Sequence, residues 1–288
     1  MLWMVLAFLT ALASASQDAW IKRFFAHLNA YEMLVFPMLY SLPLFVITAF
    51  LIPIPTLDGT YLWCLLIGLP LNAACSLLYM QAIKIAPLSL TLPYMAFTPV
   101  FMLLTGFLVL GEIPNMWGGV GILTTCLGGY VLNIDPHNRR FGAPLRALLN
   151  ETGSWIMLLV ALLFSFAAVI GKKGIQHSSP LFFVISHFAI MNLGLTVFLL
   201  VKGKVRWSTF TKEPYKGTLV GALLFLHAVF HGLAISMTMA VYMIAIKRIS
   251  ILIGVIYGHL LFKEGQIVIR YAGAFLMLTG AMIILVKG

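Results

Sequence analysis

Apolar runs of about 20 residues alternate with short polar connectors along the whole chain. A helix needs about 20 apolar residues to cross the hydrocarbon core of a bilayer. Backbone polar groups find no partners in lipid, so such runs must close their hydrogen bonds internally as helices. The sequence therefore predicts an all-α integral membrane protein with ten transmembrane helices. The predicted spans are 2–21, 31–51, 60–83, 88–110, 114–133, 153–171, 180–201, 217–240, 243–262 and 267–286.

One stretch of the chain occurs twice at a shift of 152 residues (264 − 112): Ala82–Gly129 aligns without a gap on Ala234–Ala281. Seven of the 48 aligned positions are identical, which is weak by count, but the order of apolar run, glycine, glutamate and two further glycines is in register. Each copy holds five spans, an odd number, so the two copies must enter the membrane in opposite directions. We therefore predict two inverted five-helix repeats, 1–134 and 153–288, joined by a linker at 135–152.

The composition agrees with a membrane protein and excludes several other classes. Hydrophobic residues make up 62% of the chain and charged residues 9%, whereas about a quarter of a soluble domain is charged. The net charge of +10 comes from basic residues that stand singly or in pairs between apolar runs, as at span ends near anionic lipid. No basic face for nucleic acid is predicted. The three cysteines fall in apolar runs, which argues against a disulfide framework or a zinc site, and no cofactor is expected.

The distribution of Lys and Arg bears on the orientation of the chain. If the N-terminus is cytoplasmic, the inner connectors and span ends hold Lys172, Lys173, Lys247, Arg248 and Lys287, and the other 13 (18 − 5) lie on the outer side. Cytoplasmic connectors normally carry the excess of positive charge. This count therefore predicts that both termini face out of the cell.

The repeated turns carry a family resemblance. Gly106–Glu112 (GFLVLGE) and Gly258–Glu264 (GHLLFKE) each precede a helix with spaced glycines, and Ala245–Arg248 (AIKR) is followed by Ser250. With these features the whole chain resembles the EamA-type permeases of the drug/metabolite transporter superfamily. The resemblance implies a ten-helix carrier that works by alternating access, often an exporter of metabolites or amino acids, in the plasma (inner) membrane. It also implies cytoplasmic termini, against the charge count, so the orientation stays open.

Polar side chains within spans are functional candidates because burying them in lipid is costly. His227 and His231 lie at i, i+4 and share a face of the eighth span. Imidazoles can donate, accept or titrate near neutral pH, so the pair could contact substrate or couple protons. The alternative is two histidines that bond neighbouring helices. A metal site is disfavoured, because His-x3-His is weak without carboxylate or thiolate partners.

Asn72, Ser76 and Tyr79 form one stripe on the third span. The shift of 152 aligns Tyr79 with His231, so the two stripes are expected to face each other across a cavity. Simple packing with satisfied polar groups is the alternative. The sequence also assigns His187 and Asn192 on the seventh span to bonds between helices.

On the fourth span, Pro93 and Pro99 each remove a backbone donor and predict kinks. Tyr94 and Thr98 lie near the freed carbonyls at i, i+4, and kinked helices beside a central site are typical of transporters. Tyr242 is a further candidate from the second half.

Acidic residues are scarce within the predicted spans. Asp18 is near the end of the first span, where it is either a deep proton or cation site or an interfacial partner of Lys22 at i, i+4. Glu112 and Glu264 are expected to stabilise turns rather than to gate. The glycines of the fifth and tenth spans predict close helix packing, including a homodimer contact.

These observations predict a secondary transporter, an exporter, of a small organic metabolite or amino acid. A channel or facilitative pore is the alternative, and an intramembrane enzyme is disfavoured because no nucleophile–base set or HExxH motif occurs. The expected partners are the solute and the lipid bilayer. The predicted substrate contacts are Asn72, Ser76, Tyr79, Tyr94, Thr98, His227, His231 and Tyr242, with Asp18 and His231 as candidates for ion coupling.

Overall fold

A computed structural model describes residues 2–85, 94–131, 152–262 and 268–288. Within these ranges the regular structure is entirely helical. The helices are α1 (Leu2–Phe25), α2 (Ala30–Leu51), α3 (Gly59–Ile85), α4 (Thr98–Leu110), α5 (Met116–Val131), α6 (Thr152–Gln176), α7 (Pro180–Val201), α8 (Trp207–Phe210), α9 (Pro214–Ser236), α10 (Ala240–Lys247), α11 (Ile249–Phe262) and α12 (Val268–Lys287). Of the predicted linker at 135–152, positions 135–151 lie outside the described residues.

Seven described segments are long and apolar enough to cross a membrane: α1, α2, α3, α6, α7, α9 and the run Ala240–Gly258 across α10 and α11. Helices α4, α5 and α12 contain shorter apolar stretches. Large apolar side chains such as Phe50, Trp63 and Leu108 are exposed on the outer surface, as lipid contact requires. The protein is therefore a multi-pass integral membrane protein, and the all-helical membrane class predicted from the sequence is confirmed.

Helix ends from the two halves of the chain meet on one surface, which we call face A. There the Asp58 carboxylate contacts Nδ1 of His177 at 2.7 Å, and the Asn115 amide donates to the carbonyl of Lys287 at 2.7 Å. The Tyr61 backbone N–H, which donates to the Asp58 carboxylate from the first turn of α3, and the His177 imidazole lower the pKa of Asp58 below its usual value. The α2–α3 connector, the α6–α7 connector and the start of α5 thus lie together.

The opposite surface, face B, joins the α1–α2 connector to the long connector between α7 and α9. Asn29 caps α2 by accepting the Glu32 N–H at 2.9 Å, and the Glu32 carboxylate accepts from the hydroxyl of Thr209 at 3.0 Å. The Asn29 amide also donates to the carbonyl of Lys204 at 3.3 Å. Faces A and B therefore alternate along α1, α2 and α3, and again along α6, α7 and α9.

Four of the helix contacts between the first half of the chain and the second follow the internal repeat. Helix α3 packs on α6, α1 on α9, α2 on α7, and α5 on α12. A shift of 152 residues carries α1 to α6, α2 to α7, α3 to α9, and α5 to α12. The shift therefore converts the α3–α6 pair into the α1–α9 pair and the reverse. It converts the α2–α7 pair and the α5–α12 pair each into itself.

Glycines allow the backbones of α5 and α12 to touch. A Cβ placed on Gly128 would lie 2.5 Å from the backbone nitrogen of Met277, and one on Gly121 would lie 2.9 Å from the carbonyl oxygen of Gly280. The close packing predicted from these glycines is confirmed, and it occurs within one chain. The homodimer contact stays a prediction.

The turn after α4 explains the first Gly-x5-Glu pattern. Gly111 has φ 69°, a left-handed conformation that costs little only for glycine. Its N–H donates to Phe107 and that of Glu112 to Gly106, which closes the helix end. The turn therefore fixes the backbone that carries the Glu112 side chain. Glu264, in the second copy, lies outside the described residues.

The fourth predicted span is described only from Tyr94 onwards. A turn at positions 96–97 precedes α4, and Pro99 lies in the first turn of that helix. A proline is tolerated there because the first N–H groups of a helix have no internal partner. Pro93, the other predicted kink, lies outside the described residues.

The α5–α12 contact predicts that Gly128→Ala destabilises the protein. The added methyl meets backbone atoms and forces the helices apart, a type of overpacking that costs about 1–3 kcal/mol. Gly119 of α5 has nothing within 4 Å of a built Cβ, so Gly119→Ala is the matched control. The thermal midpoint of purified protein is expected to fall for Gly128→Ala only. Equal midpoints would show that this contact is not close.

Candidate functional site

A cavity of about 250 Å³ lies between the two halves of the helix bundle. Its walls come from α1, α2, α3, α6, α7, α9, α10 and α11, with Thr98 from the start of α4. Ligand pockets usually measure about 300–1,000 Å³, so this cavity suits a small metabolite. Apolar helices surround it and charged side chains reach into it.

Six of the eight predicted substrate contacts lie on the cavity wall. They are Asn72, Ser76, Tyr79, Thr98, His227 and His231. Their common location agrees with the predicted facing stripes on the third and eighth spans. Their role in binding stays a prediction, because several also bond within the protein: the Asn72 amide donates to Gly68 and the Thr98 hydroxyl to Met95.

The other two predicted contacts lie away from the cavity wall. Tyr94 is buried in an apolar cluster with Met157, Val160 and Ala161. Tyr242 packs against Gly118 at the start of α5, where a Cβ would meet its ring. Periodicity identified a buried face in each case, but the neighbouring helix decided that the face meets other side chains.

Asp18 lies on the cavity wall and accepts a hydrogen bond from the hydroxyl of Tyr79 at 2.8 Å. Helix α1 continues to Phe25, four residues beyond its predicted end. At 1.5 Å per residue this places Asp18 about 10 Å from that end. Asp18 thus lies deep within α1, as one of the two predicted alternatives has it, and not at the interfacial end of the helix. Asp18 and Tyr79 thus join α1 to α3 inside the membrane.

The histidine pair of α9 also reaches the cavity. Nε2 of His227 lies 2.9 Å from Nζ of Lys247, so the unprotonated ring nitrogen can accept a hydrogen bond from the ammonium group. The ring of His231 lies 6.2 Å from that of His227. Nδ1 of His231 is buried and has no hydrogen-bond partner among the described residues. His227 therefore has a protein partner, whereas His231 keeps an unused polar atom beside the cavity.

The sequence analysis counted Lys247 and Arg248 as charges at the end of the predicted ninth span, which was wrong. Helix α10 already begins at Ala240, so Lys247 is about 10 Å from its start at 1.5 Å per residue. Both side chains line the cavity, and Arg248 is only 7% exposed. The sequence signal that could have identified them as cavity residues was the occurrence of two basic residues within one apolar run, because charges inside spans are usually functional. Without them, three of the five inner charges remain, and the orientation stays a prediction.

Lys172 was also misplaced as a connector charge. Helix α6 extends to Gln176, and Lys172 is 6% exposed at the face-A end of the cavity. Its ammonium donates to the carboxylate of Glu112 and to the carbonyl of Thr238. The same carboxylate accepts from the N–H of Ala240 at 2.8 Å. This Lys172–Glu112 pair joins α6, the α4–α5 turn and the α9–α10 turn.

The two polar residues assigned to the seventh span behave differently. The Asn192 amide donates to the hydroxyl of Ser41 at 3.0 Å, which confirms its predicted bond between helices. His187 instead lines the cavity, and its Nδ1 has no partner among the described residues. His187 therefore joins His231 as a cavity histidine with an unused nitrogen.

A cavity that is enclosed by apolar helices and carries a few charged and polar side chains is the feature expected of a solute transporter. Residues 1–134 match the EamA-like transporter family. The first half of the chain is therefore similar to the EamA-like transporters of the drug/metabolite transporter superfamily, in agreement with the resemblance seen in the sequence.

Curated proteins give no match to this chain. Among solved structures, one titled only "Crystal structure of protein" superposes with a TM-score of 0.71 at 10% sequence identity. The superposition covers 98% of this chain and 95% of that one. At this identity the likeness concerns the fold alone, and it extends over both halves of the chain.

The Asp18–Tyr79 bond predicts that Tyr79→Phe lowers stability. Removal of the hydroxyl leaves a buried carboxyl without its donor, at a cost of about 1–3 kcal/mol. Tyr215 is 90% exposed, so Tyr215→Phe is the matched control. We expect a thermal midpoint several degrees lower for Tyr79→Phe and an unchanged one for Tyr215→Phe. If both variants melt with the wild type, the bond does not form in the folded protein.

Proposed function

We propose that the protein is a secondary transporter that moves a small organic solute by alternating access around the central cavity. The observation that carries this proposal is the location of the cavity between helices of both halves, with charged and polar side chains on its wall. The family-implied direction is export, and a metabolite or amino acid is the substrate we expect.

The proposed architecture is ten spans in two inverted five-helix repeats. Two features support it: the α3–α6 and α1–α9 contacts exchange under the shift of 152 residues, and the α2–α7 and α5–α12 contacts return to themselves. A two-fold relation between the repeats would produce this pattern. In inverted-repeat transporters the substrate site lies near the midplane between repeats.

The Lys172–Glu112 pair supports an arrangement in which the cavity is closed towards face A. It binds three chain segments together at that end of the cavity. The shift of 152 places Trp20 where Lys172 stands in the second half, and tryptophan cannot form the equivalent ion pair. The two faces therefore have different closing contacts.

Asp18 and His231 are the proposed coupling groups. Asp18 is the one carboxylate among the described cavity residues, and His231 has a free ring nitrogen there. Either could carry a proton between the two states. A carrier that uses neither would equilibrate its solute by facilitated diffusion.

The proposal predicts saturable exchange in proteoliposomes. A thermal-shift screen of amino acids, amines, sugars, organic acids and nucleosides first identifies a ligand, because a solute that binds the folded state raises the midpoint according to its concentration over Kd. Radiolabelled exchange of that solute is then expected to saturate and to fall at least tenfold in His231→Ala. Unitary currents in bilayer recordings would instead show a channel, and exchange equal to that of empty liposomes would contradict transport.

The closing role of the Lys172–Glu112 pair predicts increased access to the cavity in Glu112→Gln. Ala168 lines the cavity one turn before Lys172, so Ala168→Cys reports access to a membrane-impermeant thiol reagent. Loss of about 1 kcal/mol from the closed state raises the labelling rate about fivefold. The increase is expected either in intact cells or in inverted vesicles, but not in both.

Glu213 provides the control for this experiment, because it forms an exposed pair with Lys216 at 2.7 Å. Glu213→Gln should leave the labelling rate of Ala168→Cys unchanged. Equal rates in Glu112→Gln and Glu213→Gln would contradict a closing role, and an equal rise from both sides would indicate general loosening of the fold.

A further inference from the structure

The charges on the cavity wall do not balance. Among the described lining residues, Lys172, Lys247 and Arg248 are cationic, and Asp18 is the only carboxylate. Lys172 is matched by Glu112. Asp18 lies within Coulombic range of Lys247, which leaves the charge of Arg248 in excess. The histidines can only add positive charge, so this part of the cavity is cationic.

Arg248 has an unused donor next to this cavity. Its side chain is more than nine-tenths buried, and its Nε has no hydrogen-bond partner among the described residues. An unmatched buried charge is strongly destabilising, so a retained one is expected to meet an opposite charge from elsewhere. A guanidinium presents its N–H donors as a planar fork that fits a carboxylate or phosphate with two parallel bonds.

Lys247 supplies a second cation beside the first. Its Nζ lies 2.9 Å from Nε2 of His227, and an ammonium group has three donors. One bond to the imidazole holds Lys247 against the wall of α9 and leaves donors for a ligand. The two basic residues lie where α10 ends and α11 begins, which brings both to the same cavity. His227 is therefore a positioning residue for Lys247.

We propose that the substrate is a small organic anion whose carboxylate or phosphate binds Arg248 through two hydrogen bonds, with Lys247 as the second cationic contact. This inference rests on the proposed transport function and specifies its substrate class. Asp18, which accepts from Tyr79 and lies within Coulombic range of Lys247, disfavours a second acidic group beside it. The site therefore favours a monoanion whose other end is neutral or carries hydrogen-bond donors.

The test measures the thermal midpoint of the purified full-length protein at matched ionic strength. The probes are inorganic phosphate and three carboxylate–amide pairs: lactate and lactamide, benzoate and benzamide, glutarate and glutaramide. At least one oxyanion is expected to raise the midpoint by about 2–4 °C over chloride, while its uncharged counterpart does not. The rise should disappear in Arg248→Gln.

Two further variants keep the test decisive. Arg248→Lys keeps the charge but loses the fork, so the apparent affinity should fall at least tenfold even if Arg248→Gln does not fold. Arg206 is an exposed arginine on the α7–α9 connector, and Arg206→Gln should retain the full rise. A rise that is the same in the wild type and in both Arg248 variants would overturn the assignment of this residue.

The remaining outcomes distinguish failure of the anionic-substrate proposal from failure of the transport proposal. If no oxyanion raises the midpoint above chloride, the proposal of an anionic substrate is wrong. A neutral solute that stabilises the protein and depends on Tyr79 and His231 would also overturn it, while leaving the carrier intact. Failure of the carrier itself has a different signature, namely no saturable exchange of any solute in proteoliposomes.

Discussion

Lipid cannot solvate charge, and this constraint governs how the helices of this protein meet. Each buried charge needs an opposite charge, a hydrogen-bond partner or water. Asp18 meets Tyr79, Lys172 meets Glu112, and Lys247 meets His227. All three contacts join separate helices or connectors around one cavity. The polar interior is thus the feature about which the apolar helices are arranged.

These contacts differ in what they hold together. The Asp18–Tyr79 bond joins two helices of the first half, whereas the Lys172–Glu112 pair crosses between the halves at face A. In the proposed alternating-access cycle, contacts of the second kind must be exchanged, because the halves would move relative to each other. The glycine contact between α5 and α12 involves backbone against backbone and has no such replaceable partner. The α5–α12 contact is therefore suited to stay fixed while other contacts are exchanged.

The sequence predicted much of the cavity through helical periodicity and the internal repeat. Asn72, Ser76 and Tyr79 lie on the expected face of α3, and His227 and His231 on that of α9. Periodicity gives the face of a helix but not the element opposite to it, which is why Tyr94 and Tyr242 turned out to pack against other side chains. Lys172 and Lys247 were missed because α6 ends later, and α10 begins earlier, than a 20-residue apolar window suggests.

The sequence alone determined the all-helical membrane class and the family resemblance, because these depend on the length and order of apolar runs. Tertiary structure decided which charges meet. Tyr79 and Asp18 are 61 residues apart in the chain, and Lys172 and Glu112 are 60 apart. Such contacts depend on how helices pack rather than on local pattern. The excess positive charge beside the cavity is likewise a property of the folded bundle, since the basic residues in the sequence resemble ordinary span ends.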